Sequence, residues 1–102
     1  MAASDESNLQ YFDLSGKISL VTGAGRGIGR AIALALARAG SDAALVARSK
    51  DELDAVAAEI RLLGRRAAAF PADLTQTRNF PTLTEKIACE MGGIDILVRC
   101  RD

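Results

Sequence analysis

The chain has 102 residues, 49% hydrophobic and 4% aromatic, and its 13 basic residues cancel its 13 acidic ones. That is enough for one small domain, and the balance gives no global attraction to nucleic acid, a membrane surface or an acidic partner. With no His, and two Cys outside any CxxC spacing, a Cys/His zinc site is excluded and no disulfide framework is expected.

The N-terminal stretch MAASDESNLQYFDLSG is acidic and polar, with no apolar core and no basic face. It reads as neither a secretory signal nor a transit peptide. No stretch approaches the roughly 20 apolar residues of a membrane span. A reducing, cytoplasmic setting is the expectation, with residues 1–12 as a flexible arm ahead of a domain that starts at Asp13.

From Lys17 the pattern becomes regular. KISLVT (17–22) is a short, β-branched apolar run followed at once by glycines, the mark of a buried parallel strand. Ile28, Ala31, Ile32, Ala35, Leu36 and Ala39 then recur at helical spacing, predicting a core-facing stripe that Gly40 terminates. DAALVA (42–47) is a second strand. Ser49 and Glu52 form a capping box for the next helix, whose buried face is Leu53, Val56, Ala57, Ile60 and Leu63, with Gly64 as its stop.

RAAAFPA (66–72) is a third strand, weakened by its alanines. A helix over roughly 77–91 uses Phe80, Leu83, Ile87 and Met91, and Pro81 must lie in or near its first turn, since deeper placement costs about 3 kcal/mol. GGIDILV (92–98) supplies glycine punctuation and a fourth strand. Strands alternating with helices predict an α/β fold: a partial, doubly wound Rossmann sheet, four parallel strands in order 3-2-1-4 with three helices. The first two helices are expected on one face and the third on the other.

The chemistry concentrates in TGAGRGIGR (22–30), where glycines at 23, 25, 27 and 29 join a strand to a helix. Such a loop lets an anionic pyrophosphate approach the main chain and meet the helix N-terminus. It is not a P-loop, because no Lys follows at the required distance, and it does not match GxGxxG. The spacing that fits is TGxxxGxG, as Thr22, Gly23, Gly27 and Gly29. With the lead-in GKISLVTGAGRGIGRAIA, the chain resembles the short-chain dehydrogenase/reductase family from Asp13 to Val98.

The resemblance implies a dinucleotide site. Gly23, Gly27 and Gly29 match the motif glycines, with Ile28 between the last two. Asp73 and Leu74 match the acidic–aliphatic pair that holds the adenine ring, although from its sequence context Asp73 serves equally as a turn or N-cap residue. At the end of the second strand, where an NAD-preferring relative carries an acid, the chain has Ala47 and then Arg48. Arg48 and Arg26 are suited to a 2′-phosphate, so NADP is expected over NAD.

Relatives continue the fourth strand into Asn-Asn-Ala-Gly, whereas ILV (96–98) is followed here by Arg99, Cys100, Arg101 and Asp102. The family's catalytic Ser, Tyr and Lys fall beyond this point. The expectation is therefore a truncated cofactor-binding half with no catalytic residue of its own, derived from a carbonyl reductase of 3-oxoacyl-thioester or sugar-acid/polyol type. The alternatives are a non-catalytic nucleotide-binding module, an interaction module or an inert product. Self-association through the edge strand 94–98 is expected. Nucleic-acid binding is not, since no helix gathers basic residues on one face.

Overall fold

A computed structural model describes residues 13–75 and 77–100. The N-terminal arm over 1–12 and the last two residues, Arg101 and Asp102, lie outside the described residues. Four strands and three helices alternate along the chain: β1 (Ile18–Thr22), α1 (Gly27–Arg38), β2 (Asp42–Ala47), α2 (Lys50–Leu62), β3 (Ala67–Pro71), α3 (Phe80–Met91) and β4 (Ile96–Val98). A single 3₁₀ turn, Thr77–Asn79, leads into α3. The strands form one parallel sheet in the order β3-β2-β1-β4.

Alternation along the strands builds two cores. Val21, Ala43, Leu45 and Ala47 point to the face covered by α1 and α2. Leu20, Ala44, Val46 and Phe70 point to the opposite face, against Ile87 and Met91 of α3. A sheet buried on both faces explains why β1 reads as a continuous apolar run. Of its two buried polar residues, Ser19 and Thr22, Ser19 shares a 2.6 Å hydrogen bond with Ser41, whose hydroxyl also donates to the Asp42 carbonyl at 2.8 Å.

Helix α1 corrects the sequence reading. Its buried residues are Gly29, Ala33, Leu34 and Ala37, whereas of the predicted stripe Ile28 is 75% exposed, Ala31 and Ala35 are exposed, and Ile32, Leu36 and Ala39 are only half-buried, Leu36 against the core. Gly29 sets the phase. A Cβ there would lie 2.0 Å from the Gly23 carbonyl oxygen, so only a residue without a side chain fits against the loop. Because GIGRAIALALAR is apolar nearly all round, periodicity did not distinguish the two faces.

Helix α2 buries Leu53, Val56, Ala57 and Ile60, as expected, but Leu63 follows its last turn and is exposed. Ser49 Oγ accepts the Glu52 N–H at 3.3 Å. The returning half of the capping box, from the Glu52 carboxylate to the Ser49 amide, is absent among the described residues. In α3, Pro81 stands in the first turn and Gly92, with φ +96°, closes the helix. Phe80 and Leu83 pack around the buried Ile87 and Met91.

Beyond β4 the backbone stays on the sheet. Cys100 N–H donates to Thr22 Oγ1 at 2.9 Å, and the Thr22 hydroxyl donates to the Cys100 carbonyl at 3.1 Å. Arg99 stacks over the Phe80 ring at 4.9 Å. β4 has β1 as its one strand neighbour among the described residues, and Leu97 is 49% exposed.

Candidate functional site

The glycine segment runs from the end of β1 into α1, at the edge where the parallel strands end. The Ala24 N–H donates to the Val46 carbonyl at 3.2 Å, tying the loop to β2. Arg26 is the N-cap of α1, with extended backbone and no side-chain capping bond, and the first turn holds no acidic residue. Among the described residues, the first amide of the helix to find an acceptor is Arg30 N–H, on the Arg26 carbonyl at 3.3 Å.

The amides of Gly27, Ile28 and Gly29 thus lie at an uncapped helix end, where partial positive charge accumulates. Gly27 takes φ +59°, and a Cβ at that position would meet open space. Here it is the backbone conformation, not crowding, that favours glycine. A helix start whose own first turn carries no acidic residue suits the pyrophosphate of a dinucleotide, and the residues present fit such a group.

Beside the loop, an open cavity of roughly 320 Å³ is lined by Arg26, Arg48, Ser49 and Glu52. Two of its residues, Arg26 and Arg48, are those the sequence singled out, arriving from α1's cap and from the end of β2. The sequence marks Ser49 and Glu52 as helix-capping residues alone. Glu52 reaches the cavity because the start of α2 packs on the loop: a Cβ on Gly25 would be 3.0 Å from Glu52 Cβ and 3.2 Å from Glu52 Oε1. Nothing in linear spacing signals that approach.

Asp73 follows β3 and is exposed. Its Oδ1 accepts the Thr75 hydroxyl at 2.7 Å and the Thr75 N–H at 3.0 Å. These two bonds, hydroxyl first, hold its carboxyl below the ordinary carboxylate value, and the positive charge of Arg48 acts in the same direction. Asp73 is therefore an ionised turn residue within the electrostatic reach of Arg48. Leu74 is half-buried and packs against the α3 core, away from the cavity lining.

Of the sequence-derived set, Gly23, Arg26, Gly27, Ile28 and Gly29 lie in the one segment that joins β1 to α1, Gly23 and Gly29 buried and Arg26, Gly27 and Ile28 exposed, while Arg48 lines a cavity together with Arg26. Among the described residues there is no cluster of three or more His, Cys, Asp or Glu placed to hold a metal ion. No helix among them is long and apolar enough to cross a membrane.

A family model described as short chain dehydrogenase matches residues 17–100. The chain belongs to the short-chain dehydrogenase family. It is 44% identical over 90 residues to an uncharacterized oxidoreductase of Mycobacterium tuberculosis, covering 88% of this chain and 34% of that protein. Against hydroxynaphthalene reductase of Aspergillus fumigatus it is 44% identical over 89 residues, covering 86% and 33%.

Among solved structures, L-sorbose reductase of Gluconobacter frateurii, complexed with NADPH and L-sorbose, superposes with a TM-score of 0.81 at 33% identity, covering 89% of this chain and 35% of that one. A short-chain dehydrogenase/reductase of Mycobacterium marinum gives 0.80 at 45% identity, covering 87% and 36%. The short-chain dehydrogenase fold is thus present, and the chain spans about a third of the length of the relatives it matches.

Proposed function

We propose that the chain forms the adenosine- and pyrophosphate-binding part of an NADP-dependent short-chain oxidoreductase. In such an enzyme the bound cofactor supplies or removes a hydride at an alcohol or carbonyl carbon. The residues here bind and orient it. The open amides at the start of α1 face the pyrophosphate, and Arg26 and Arg48 flank the cavity where a ribose 2′-phosphate would sit.

The observation that carries this reading is the convergence of Arg26 and Arg48 on one cavity, beside an Ala47 that offers no carboxylate. An arginine pairs with phosphate through two parallel hydrogen bonds, which an adenosine lacking the 2′-phosphate cannot match. The L-sorbose reductase solved with NADPH supports the same choice. For the reaction, a keto group on a 3-oxoacyl thioester or on a sugar acid or polyol is the substrate class we propose.

The test is titration of the chain with 2′-phospho-AMP and with AMP, by calorimetry or NMR shifts, repeated on Arg48→Ala. Tighter binding of the 2′-phosphorylated ligand, with that preference lost in the variant, is the expected result. Equal affinity for the two ligands in both proteins would overturn the NADP reading.

A further inference from the structure

We infer that Glu52 is a second specificity residue of the cofactor cavity, favouring a free ribose 2′-hydroxyl and moderating the preference that Arg26 and Arg48 create for a 2′-phosphate. The inference rests on the cofactor reading above and deepens it. The end of β2 offers Ala47 where an acid would select a ribose hydroxyl. The structure supplies a carboxylate to the same cavity from a different element, the first turn of α2.

Three observations place that carboxylate at the cavity rather than in a cap. Glu52 N–H is bound to Ser49 Oγ at 3.3 Å, so the residue is held at the helix start. Glu52 is half-buried, with Oε1 directed at the loop backbone near Gly25. The bond that would make it a simple cap, back to the Ser49 amide, is not formed among the described residues. The carboxylate therefore faces the cavity that Arg26 and Arg48 share.

An ionised carboxylate accepts hydrogen bonds from hydroxyls and repels a phosphate that carries nearly two negative charges. In a partly shielded cavity that repulsion is not fully screened. The two arginines still favour the phosphate, so the outcome is a cavity able to accept both cofactor forms, with the balance set by one acid against two bases.

The experiment extends the titration of the full chain with AMP and 2′-phospho-AMP to Glu52→Gln, which keeps the shape and removes the charge, and to Glu52→Asp, which draws the carboxylate back from Gly25. Glu52→Gln is expected to raise the affinity ratio in favour of 2′-phospho-AMP about five- to tenfold, tightening that ligand and weakening AMP, with Glu52→Asp intermediate. An unchanged ratio in both variants, or a parallel loss for both ligands, overturns the inference. If Arg48→Ala abolishes the 2′-phosphate preference while the Glu52 variants leave it untouched, the cofactor reading stands and the role of Glu52 falls. Absence of binding by the unsubstituted chain overturns both.

Discussion

Thr22 and Cys100 hydrogen-bond to each other in both directions, the Cys100 amide donating at 2.9 Å and the Thr22 hydroxyl donating at 3.1 Å. The β1–β4 ladder ends at Val21 and Val98, so a side chain extends the pairing where the backbone register stops. Thr22 is only 2% exposed. Thr22→Val keeps the shape and removes both bonds, and is expected to lower stability by about 1–2 kcal/mol. Urea unfolding measures it, and an unshifted midpoint would contradict this account.

The two motif glycines should respond differently to alanine. At Gly29 the added carbon would lie 2.0 Å from the Gly23 carbonyl oxygen, a backbone atom that cannot rotate away. Gly29→Ala is expected to cost roughly 3 kcal/mol or more, with displacement of the loop. At Gly27 there is room, and only the φ of +59° opposes a side chain. Gly27→Ala is expected to cost about 1 kcal/mol. Comparable losses for the two variants would refute the distinction.

Asp42 predicts an acid limb of stability. Burial alone would raise its carboxyl, but the Arg66 N–H and guanidinium, each at 2.9 Å, outweigh this and hold it below the ordinary value. A depressed carboxylate contributes stability above its unfolded value near about 3.9 and loses it as pH falls through the lower folded value. Because Arg66 is 60% exposed, the contribution is under about 1 kcal/mol. Asp42→Asn should be less stable than the parent at pH 7, with the difference vanishing towards pH 2. A gap independent of pH would rule out this ionic origin.

The edge of β4 predicts self-association of the 102-residue chain. An antiparallel two-fold pairing centred on Leu97 would set Ile96 opposite Val98 and Asp95 opposite Arg99 of a second copy, which is complementary in both polarity and charge. Sedimentation equilibrium should detect a weak dimer. Leu97→Lys, placing two like charges on the axis, should return it to monomer. A monomer at all concentrations in the parent chain would dispose of the idea.

Strand positions were legible in the sequence from short apolar runs and glycine stops, and sheet order and the sidedness of the helices from the doubly wound topology and right-handed crossovers that strictly alternating strands and helices impose. The phase of α1 was not. Ile28 and Ala31 are as apolar as Ala33 and Leu34, and what separates them is the contact between Gly29 and the Gly23 carbonyl. Glu52 was legible as a helix-start residue, but its place beside Arg26 and Arg48 depends on how α2 docks against the loop. For Asp73 the sequence left turn and binding roles open, and the bonds to Thr75 show the turn.

The close approach of Gly29 to Gly23 also bears on the entropy of recognition. With no side chain between them, loop and helix form one mechanical unit, and the loop is further tied to β2 through Ala24 and Val46. An anion arriving at the start of α1 meets amides that are already aligned, so little conformational freedom remains to be lost on binding. On the proposed cofactor reading, selection between related ligands would fall to the side chains at the rim, which can change without disturbing the backbone that would hold the common phosphate groups.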